Sequence, residues 1–170
     1  MTPNQIPPRN NPSLRWVLGA AIGVFAADQM LKTLAFSMGG NDTWLFPILN
    51  HGTGWGFFYL PTLQLVVVVS AVAVGAGALG WWLVNRRMIS PVVLGIVLGG
   101  ILGNVYDRVT LGAVRDFLDI PQVGIVNLAD IAIAIGCVAW IMGVVRSHLR
   151  GRHNQNQLPQ TRPVSTAPKV

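Results

Sequence analysis

The sequence predicts an all-α membrane protein, four transmembrane helices with a small β-sheet and looped segments gathered on the outer side. Three observations lead there. Hydrophobic residues make up 52% of the 170 residues and charged ones only 11%, against roughly 25% charged in soluble domains. The apolar residues fall in runs long enough to cross a bilayer, whose core of about 30 Å needs about 20 helical residues. The charges are sorted between those runs: Arg9 and Arg15, Arg86 and Arg87, and Arg146, Arg150, Arg152, Arg162 and Lys169 occupy segments without any acid.

The first helix is expected over about residues 14–36. Asp28 and Lys32 interrupt its apolar run at i, i+4, acid before base, a pairing that supports a continuing helix. The same region also resembles a secretory signal, with Arg9 and Arg15 ahead of Trp16 to Ala27 and small residues around Val24-Phe25-Ala26. Cleavage there would leave three spans and a less sensible distribution of basic clusters. The outer segment 39–60 is rich in glycine and aromatics, including Gly54-Trp55-Gly56-Phe57, and is expected to be extended or looped. The second helix, about 63–84, is the surest span, since Leu63 to Val84 gives 22 residues without a charge.

The third helix, about 89–107, contains 18 uncharged residues from Ile89 to Tyr106. Pro91 stands near its start, where a missing backbone donor does little harm. In the second outer segment, 110–126, Ala113 to Ile120 partly alternates and Pro121-Gln122-Val123-Gly124 offers a turn, so the two outer segments together can form a short sheet. The fourth helix is expected over about 127–145, ending at Arg146. These spans make 14–146 one membrane domain. Residues 1–13 and 147–170 are polar and proline-bearing, and are expected to be disordered tails.

With four spans both ends face one side, which the excess of basic residues assigns to the cytoplasm. Every aspartate then falls on the outer side or in the outer half of the bilayer. The net charge of +6 flanks apolar runs without a stacking surface, so it signals topology and not nucleic acid. Cys137 has no intrachain partner and reads as packing. His51 lies on the outer side while His148 and His153 lie on the other, so no histidine metal site is expected. The serines have no base partner, and no phosphate-binding loop or nucleophile elbow is present. Neither a metal nor another cofactor is expected.

Asp116 and Asp130 carry the chemistry. A carboxylate at membrane depth costs about 2.5 to 3.5 kcal/mol on insertion scales, so one that is kept there has a use. Two that meet cannot both stay ionised, and one proton is shared. Such a pair suits amide hydrolysis by water: the ionised member takes a proton from the water while the protonated member donates to the carbonyl oxygen. Asp130, in the first turn of the fourth helix, is favoured in its ionised form by the helix N-terminus and is expected to act as base, leaving Asp116 as acid. Asn127 precedes it at i, i+3.

In the third helix Gly95, Gly99 and Gly103 recur every four residues and offer a narrow face for close helix packing. Asn104, Asp107 and Arg108 follow at its outer end. They read either as an Asp107 and Arg108 ion-pair network anchoring the helix, or as a site for a polar substrate backbone or lipid head group. A proton-coupled transporter also uses intramembrane carboxylates, but such groups belong near the midplane and often accompany internal repeats, which this chain lacks. A non-catalytic scaffold built on the glycine face leaves the polar cluster unexplained.

Five short stretches, in order, resemble the lipoprotein signal peptidase family, also called signal peptidase II. They are Asp28-Gln29-Met30-Leu31-Lys32, Asn50-x-Gly52-x-x-Trp55-Gly56, Gly99-Gly100-x-x-Gly103-Asn104-x-x-Asp107-Arg108, Val114-Arg115-Asp116-Phe117 and Asn127-x-Ala129-Asp130. Singly each is weak; together, across residues 14–146, they are specific. The resemblance implies a bacterial inner-membrane aspartic endopeptidase, multi-pass, with both termini cytoplasmic and its active site on the periplasmic side. Its substrate would be a diacylglyceryl-modified prolipoprotein, cut immediately before the modified cysteine, with membrane lipids around it. Cyclic peptide antibiotics such as globomycin would occupy the site. By motif, Asp116 and Asp130 are catalytic, Asn50, Gly52, Asn104, Arg108 and Asn127 line the substrate site, and Asp28, Lys32 and Asp107 support it. The implied fold is a four-helix bundle with a small periplasmic β-sheet and a loop arm. Trp55 and Val126 depart from the family's usual phenylalanine and aromatic residue, which puts substrate fit in question more than chemistry.

Overall fold

In the computed structural model, which describes residues 12–39, 44–52 and 62–156, the chain order is α1 (Pro12–Met38), β1 (Leu45–Asn50), α2 (Thr62–Asn85), α3 (Pro91–Leu111), β2 (Val114–Ile120), β3 (Gly124–Val126) and α4 (Leu128–Asn156). All four helices are long and apolar enough to cross a membrane. The expected residues Gly54-Trp55-Gly56-Phe57 and most of both tails lie outside the described residues.

Local chemistry sets the helix limits. Ser90 caps α3, its hydroxyl accepting from the Val92 N–H at 3.3 Å, and Pro91 follows at the first helical position, where its fixed φ suits the helix. Gly112 closes the same helix in the left-handed region at φ 73°, and its N–H donates to the Arg108 carbonyl at 3.1 Å; a side chain would strain that conformation. The helix therefore runs to Leu111 rather than ending near 107. The fourth helix likewise continues to Asn156 instead of stopping near Val145, so the first part of the expected disordered tail is helical. The apolar run ends at Arg146, but residues 146–150 contain neither proline nor glycine, and nothing there interrupts the backbone hydrogen bonds.

The central helix is α3, which packs against α1, α2 and α4. Its glycine face works as expected: Gly95 lies on the Val17 carbonyl of α1, and a Cβ at Gly99 would sit 2.6 Å from the Ala21 carbonyl oxygen. On the α4 side, a Cβ at Gly100 would be 2.7 Å from the Ala129 carbonyl oxygen. Backbone atoms cannot give way as a side-chain tip can. Gly99→Val is therefore expected to destabilise the bundle by about 1 to 3 kcal/mol, read as a lowered unfolding transition in detergent micelles.

Elsewhere the outer surfaces of the helices are apolar. Leu63, Val67 and Val74 of α2 and Ile135, Val138 and Ile141 of α4 are all exposed, as expected of side chains that face lipid tails. At one end of the bundle Val17, Leu83, Val84, Ile89 and Leu94 cluster with Trp81 and Trp140. Arg86 stacks over Trp82 at this end, 5.1 Å from the ring centroid.

The opposite end carries a three-stranded antiparallel sheet in the order β1-β2-β3. Asn50 pairs with Val114, Ile48 with Asp116 and Leu118 with Val126. Pro47 lies on edge strand β1 where the register shifts between Leu45 and Ile48, a place where a missing N–H is tolerated. The sheet is seated on α1 by Ala35, Leu45 and Phe117, with Leu31 and Leu118 against them. Both outer segments thus contribute to it, as their patterning suggests.

Candidate active site

Ten residues are singled out by sequence reasoning, and the folded chain brings them together where α1, α3, β2 and the start of α4 meet below the sheet. In β2 Val114 and Asp116 share one buried face, while Phe117 is buried on the opposite face; Asp116 is 2% exposed. The Asn50 amide, from the neighbouring strand, donates to Asp116 Oδ2 at 2.8 Å, and the Asn127 amide donates to its Oδ1 at 2.6 Å.

Asp130 is held by the helix it starts. The side-chain carbonyl of Asn127 accepts from the Asp130 N–H at 3.0 Å, and the Asn127 backbone N–H donates to Asp130 Oδ2 at 3.3 Å. This reciprocal pair has the form of a capping box, with aspartate where glutamate is usual. The Asn104 amide then donates to Asp130 Oδ1 at 2.8 Å. One fully buried residue, Asn127, therefore links the two acids: its side-chain nitrogen donates to the Asp116 carboxylate, its backbone N–H donates to the Asp130 carboxylate, and its side-chain oxygen accepts from the Asp130 backbone N–H.

Burial pushes the Asp116 carboxyl up from the ordinary aspartate range to about 6. The nearby Asp130 charge acts in the same direction, while the Asn50 and Asn127 amides and Lys32 pull it down. Desolvation disfavours the charged form, and a like charge adds to the effect. Asp116 thus keeps its proton to a higher pH than an ordinary aspartate.

Around the pair lies a buried ionic network. Lys32 and Asp28 are fully buried, with Nζ 2.7 Å from Asp28 Oδ2 and 3.2 Å from Asp107 Oδ2. Asp28 Oδ1 accepts from the Ala129 N–H at 2.9 Å, so a carboxylate from α1 caps the first turn of α4. Asp107 pairs with Arg115 at 2.8 Å and also accepts from the Arg115 backbone N–H at 3.0 Å.

This corrects the Asp107 and Arg108 ion-pair reading. Neighbours on a helix diverge by about 100°, and Arg108 turns instead to the Gly52 carbonyl at 3.3 Å and the Asn104 carbonyl at 3.4 Å. Gly52 is itself held by Asn50, whose Oδ1 accepts from its N–H at 3.0 Å. The Arg108 Nε is buried and has no partner among the described residues.

Two residues of the network carry no role in the sequence reading. Arg115 reaches the Gln29 Oε1 at 2.6 Å, and the Gln29 amide reaches both Asp28 at 3.1 Å and the Gly103 carbonyl at 3.2 Å. The signal for Arg115 is its position in β2, adjacent to Asp116 and hence on the other face of the strand. Gln29 stands in the Asp28-to-Lys32 stretch, but nothing local marks it for these contacts. No cluster of three or more metal-ligating side chains occurs among the described residues.

Residues 20–146 match the family model for signal peptidase (SPase) II. The chain belongs to the signal peptidase II family. Among its curated relatives, the lipoprotein signal peptidase of Gloeothece citriformis is 33% identical over 134 residues, covering 72% of this chain and 84% of that one. The lipoprotein signal peptidase of Polynucleobacter necessarius is 32% identical over 157 residues, covering 79% and 91%. A solved bacterial membrane enzyme superposes with a TM-score of 0.62 at 22% identity, covering 84% of this chain and 92% of that one, which is a likeness of fold. Membership of the signal peptidase II family makes the chain a peptidase, and with its four apolar helices a multi-pass membrane protein.

Proposed function

We propose that the chain is an aspartic endopeptidase that cuts prolipoproteins immediately before the diacylglyceryl-modified cysteine, with Asp116 and Asp130 activating one water. Family membership supports the substrate class. The observation that carries the chemistry is Asn127 donating to two carboxylates from separate segments, through its side chain to Asp116 and through its backbone N–H to Asp130, with the Asp116 pKa raised to about 6.

In this reading Asp130 is ionised and takes a proton from water as the oxygen attacks the scissile carbonyl. Asp116, protonated, donates to the carbonyl oxygen. The tetrahedral intermediate then collapses: the C–N bond breaks, the proton now on Asp130 passes to the leaving cysteine amine, and the new carboxyl group returns a proton to Asp116. Paired acid and base work of this kind contributes about 10²- to 10⁴-fold for each transfer.

Asn50 and Gly52 present amide groups beside Asp116 to an extended peptide, Asn104 and Asn127 orient the carboxylates, and the Arg108 Nε, without a partner among the described residues, offers a donor to a substrate carbonyl. Asp130 also lines a cleft of about 350 Å³ with Ile120, Val123, Val126, Ile131, Ala134 and Ile135, which gives apolar substrate groups access to the carboxylate. The basic helix ends suit a cytoplasmic placement of both termini in a bacterial inner membrane, with the sheet and the carboxylates on the periplasmic side. In this reading a cyclic peptide such as globomycin would occupy the same site and inhibit cleavage.

The test is a gel-shift assay with purified protein and a diacylglyceryl-modified prolipoprotein. The expected result is loss of the signal peptide at the modified cysteine and no cleavage of the unmodified precursor. Equal cleavage of both, or none of either, would count against the assignment.

A further inference from the structure

Lys32 carries more of the site than an ion pair requires. Its ammonium group is fully buried beside Asp28 and Asp107, and its third contact is to Asn104, donating to Oδ1 at 2.9 Å. That oxygen also accepts from the Asn127 amide at 3.1 Å, while the Asn104 amide nitrogen donates to Asp130 at 2.8 Å.

Only one orientation of the Asn104 amide satisfies these neighbours. Turned over, its NH₂ would face the Lys32 ammonium and the Asn127 NH₂, and its oxygen would face a carboxylate. The Asn127 amide inherits the same polarity: it donates to Asn104 Oδ1 and to Asp116, leaving its oxygen for the Asp130 N–H. A cation at one end thus sets the direction of a two-amide chain that ends on both carboxylates. Asp28 holds Lys32 and, through the Ala129 N–H, the turn that bears Asp130.

We propose that Lys32 is a positioning residue: it fixes the orientation of the Asn104 amide and through it the placement of Asp130 and Asn127. This rests on the peptidase reading above. A role confined to tying α1 to α3 would affect folding and leave turnover by the folded protein unchanged. An amide-orienting role lowers turnover in folded protein, because a small displacement of reacting groups costs rate far more than it costs binding.

The experiment compares wild type, Lys32→Met, Asn104→Ala and the double variant on diacylglyceryl-modified prolipoprotein. Lys32→Met is expected to lower kcat roughly 10- to 100-fold with KM within about twofold. Because Lys32 acts through Asn104, the double variant should fall no more than about threefold below the slower single variant. A variant with both charges removed, Asp28→Asn with Lys32→Met, keeps the interior neutral and an acceptor for Ala129, and should unfold near the wild-type temperature while showing the same loss of kcat.

Either a folded Lys32→Met protein with wild-type kcat, or losses that multiply in the double variant, would overturn the positioning role. An active wild type separates that outcome from failure of the peptidase reading, which an inactive wild type would remove together with this inference.

Discussion

Asp116→Asn and Asp130→Asn are each expected to lower kcat by about 10³- to 10⁴-fold while leaving a folded, membrane-inserted protein. Asparagine keeps the size of the side chain but cannot exchange a proton at either stage of hydrolysis. The structural cost is far smaller. Asp116→Asn gives up one of two amide donors, from Asn50 or Asn127, and Asp130→Asn gives up one of the bonds from Asn104 and the Asn127 backbone. A single hydrogen bond is worth about 0.5 to 1.5 kcal/mol net, and removal of a like charge next to the other carboxylate offsets part of that. A 10⁴-fold loss is about 5.4 kcal/mol of transition-state stabilisation, so the two effects are separable by size. Cleavage kinetics beside thermal unfolding in detergent measure both. Substantial turnover by either variant would remove the paired-carboxylate mechanism.

Asp107→Ala is expected to show the opposite balance, with a loss of stability of about 3 to 5 kcal/mol, the typical cost of taking one partner from a buried ion pair. Asp107 is fully buried and accepts from Arg115 through both side chain and backbone, and Lys32 lies 3.2 Å away. Without it Arg115 keeps Gln29 and Thr33 as neutral partners, and Lys32 keeps one carboxylate for its charge. Asp107→Asn retains an acceptor and should lose less. Denaturant unfolding in micelles measures the difference, and an Asp107→Ala protein as stable as wild type would show that the network does not hold the bundle together.

Much of the fold is legible before folding. The apolar runs that set the four helices are local properties, as are Pro91 near the start of α3 and the turn at Pro121 to Gly124. The glycine spacing in α3 marks a close-packing face, because a four-residue period keeps those positions on one side of any helix. The motif stretches bring the ten residues of the site into consideration. Partner identity is not legible. Spacing places Asp107 on a face of α3 but cannot say that β2 will fold back to set Arg115 against it. Likewise Asp28 caps α4 from 101 positions away, a contact that exists only once α1 and α4 both lie against α3. The end of α4 escapes the sequence reading for a different reason: loss of hydropathy marks where a helix can leave lipid, while its hydrogen bonds continue until the backbone is interrupted.

If Asp116 and Asp130 hold one proton between them and use it, the pH dependence of kcat/KM must show it. Activity requires one carboxyl ionised and the other protonated, so it should rise as the first loses its proton and fall as the second does. With Asp116 raised to about 6, the expected profile is a bell whose descending limb lies near that value in the free enzyme. A profile that stays flat from pH 4 to 9, a range of about five units over which ordinary and raised aspartates titrate, would contradict it.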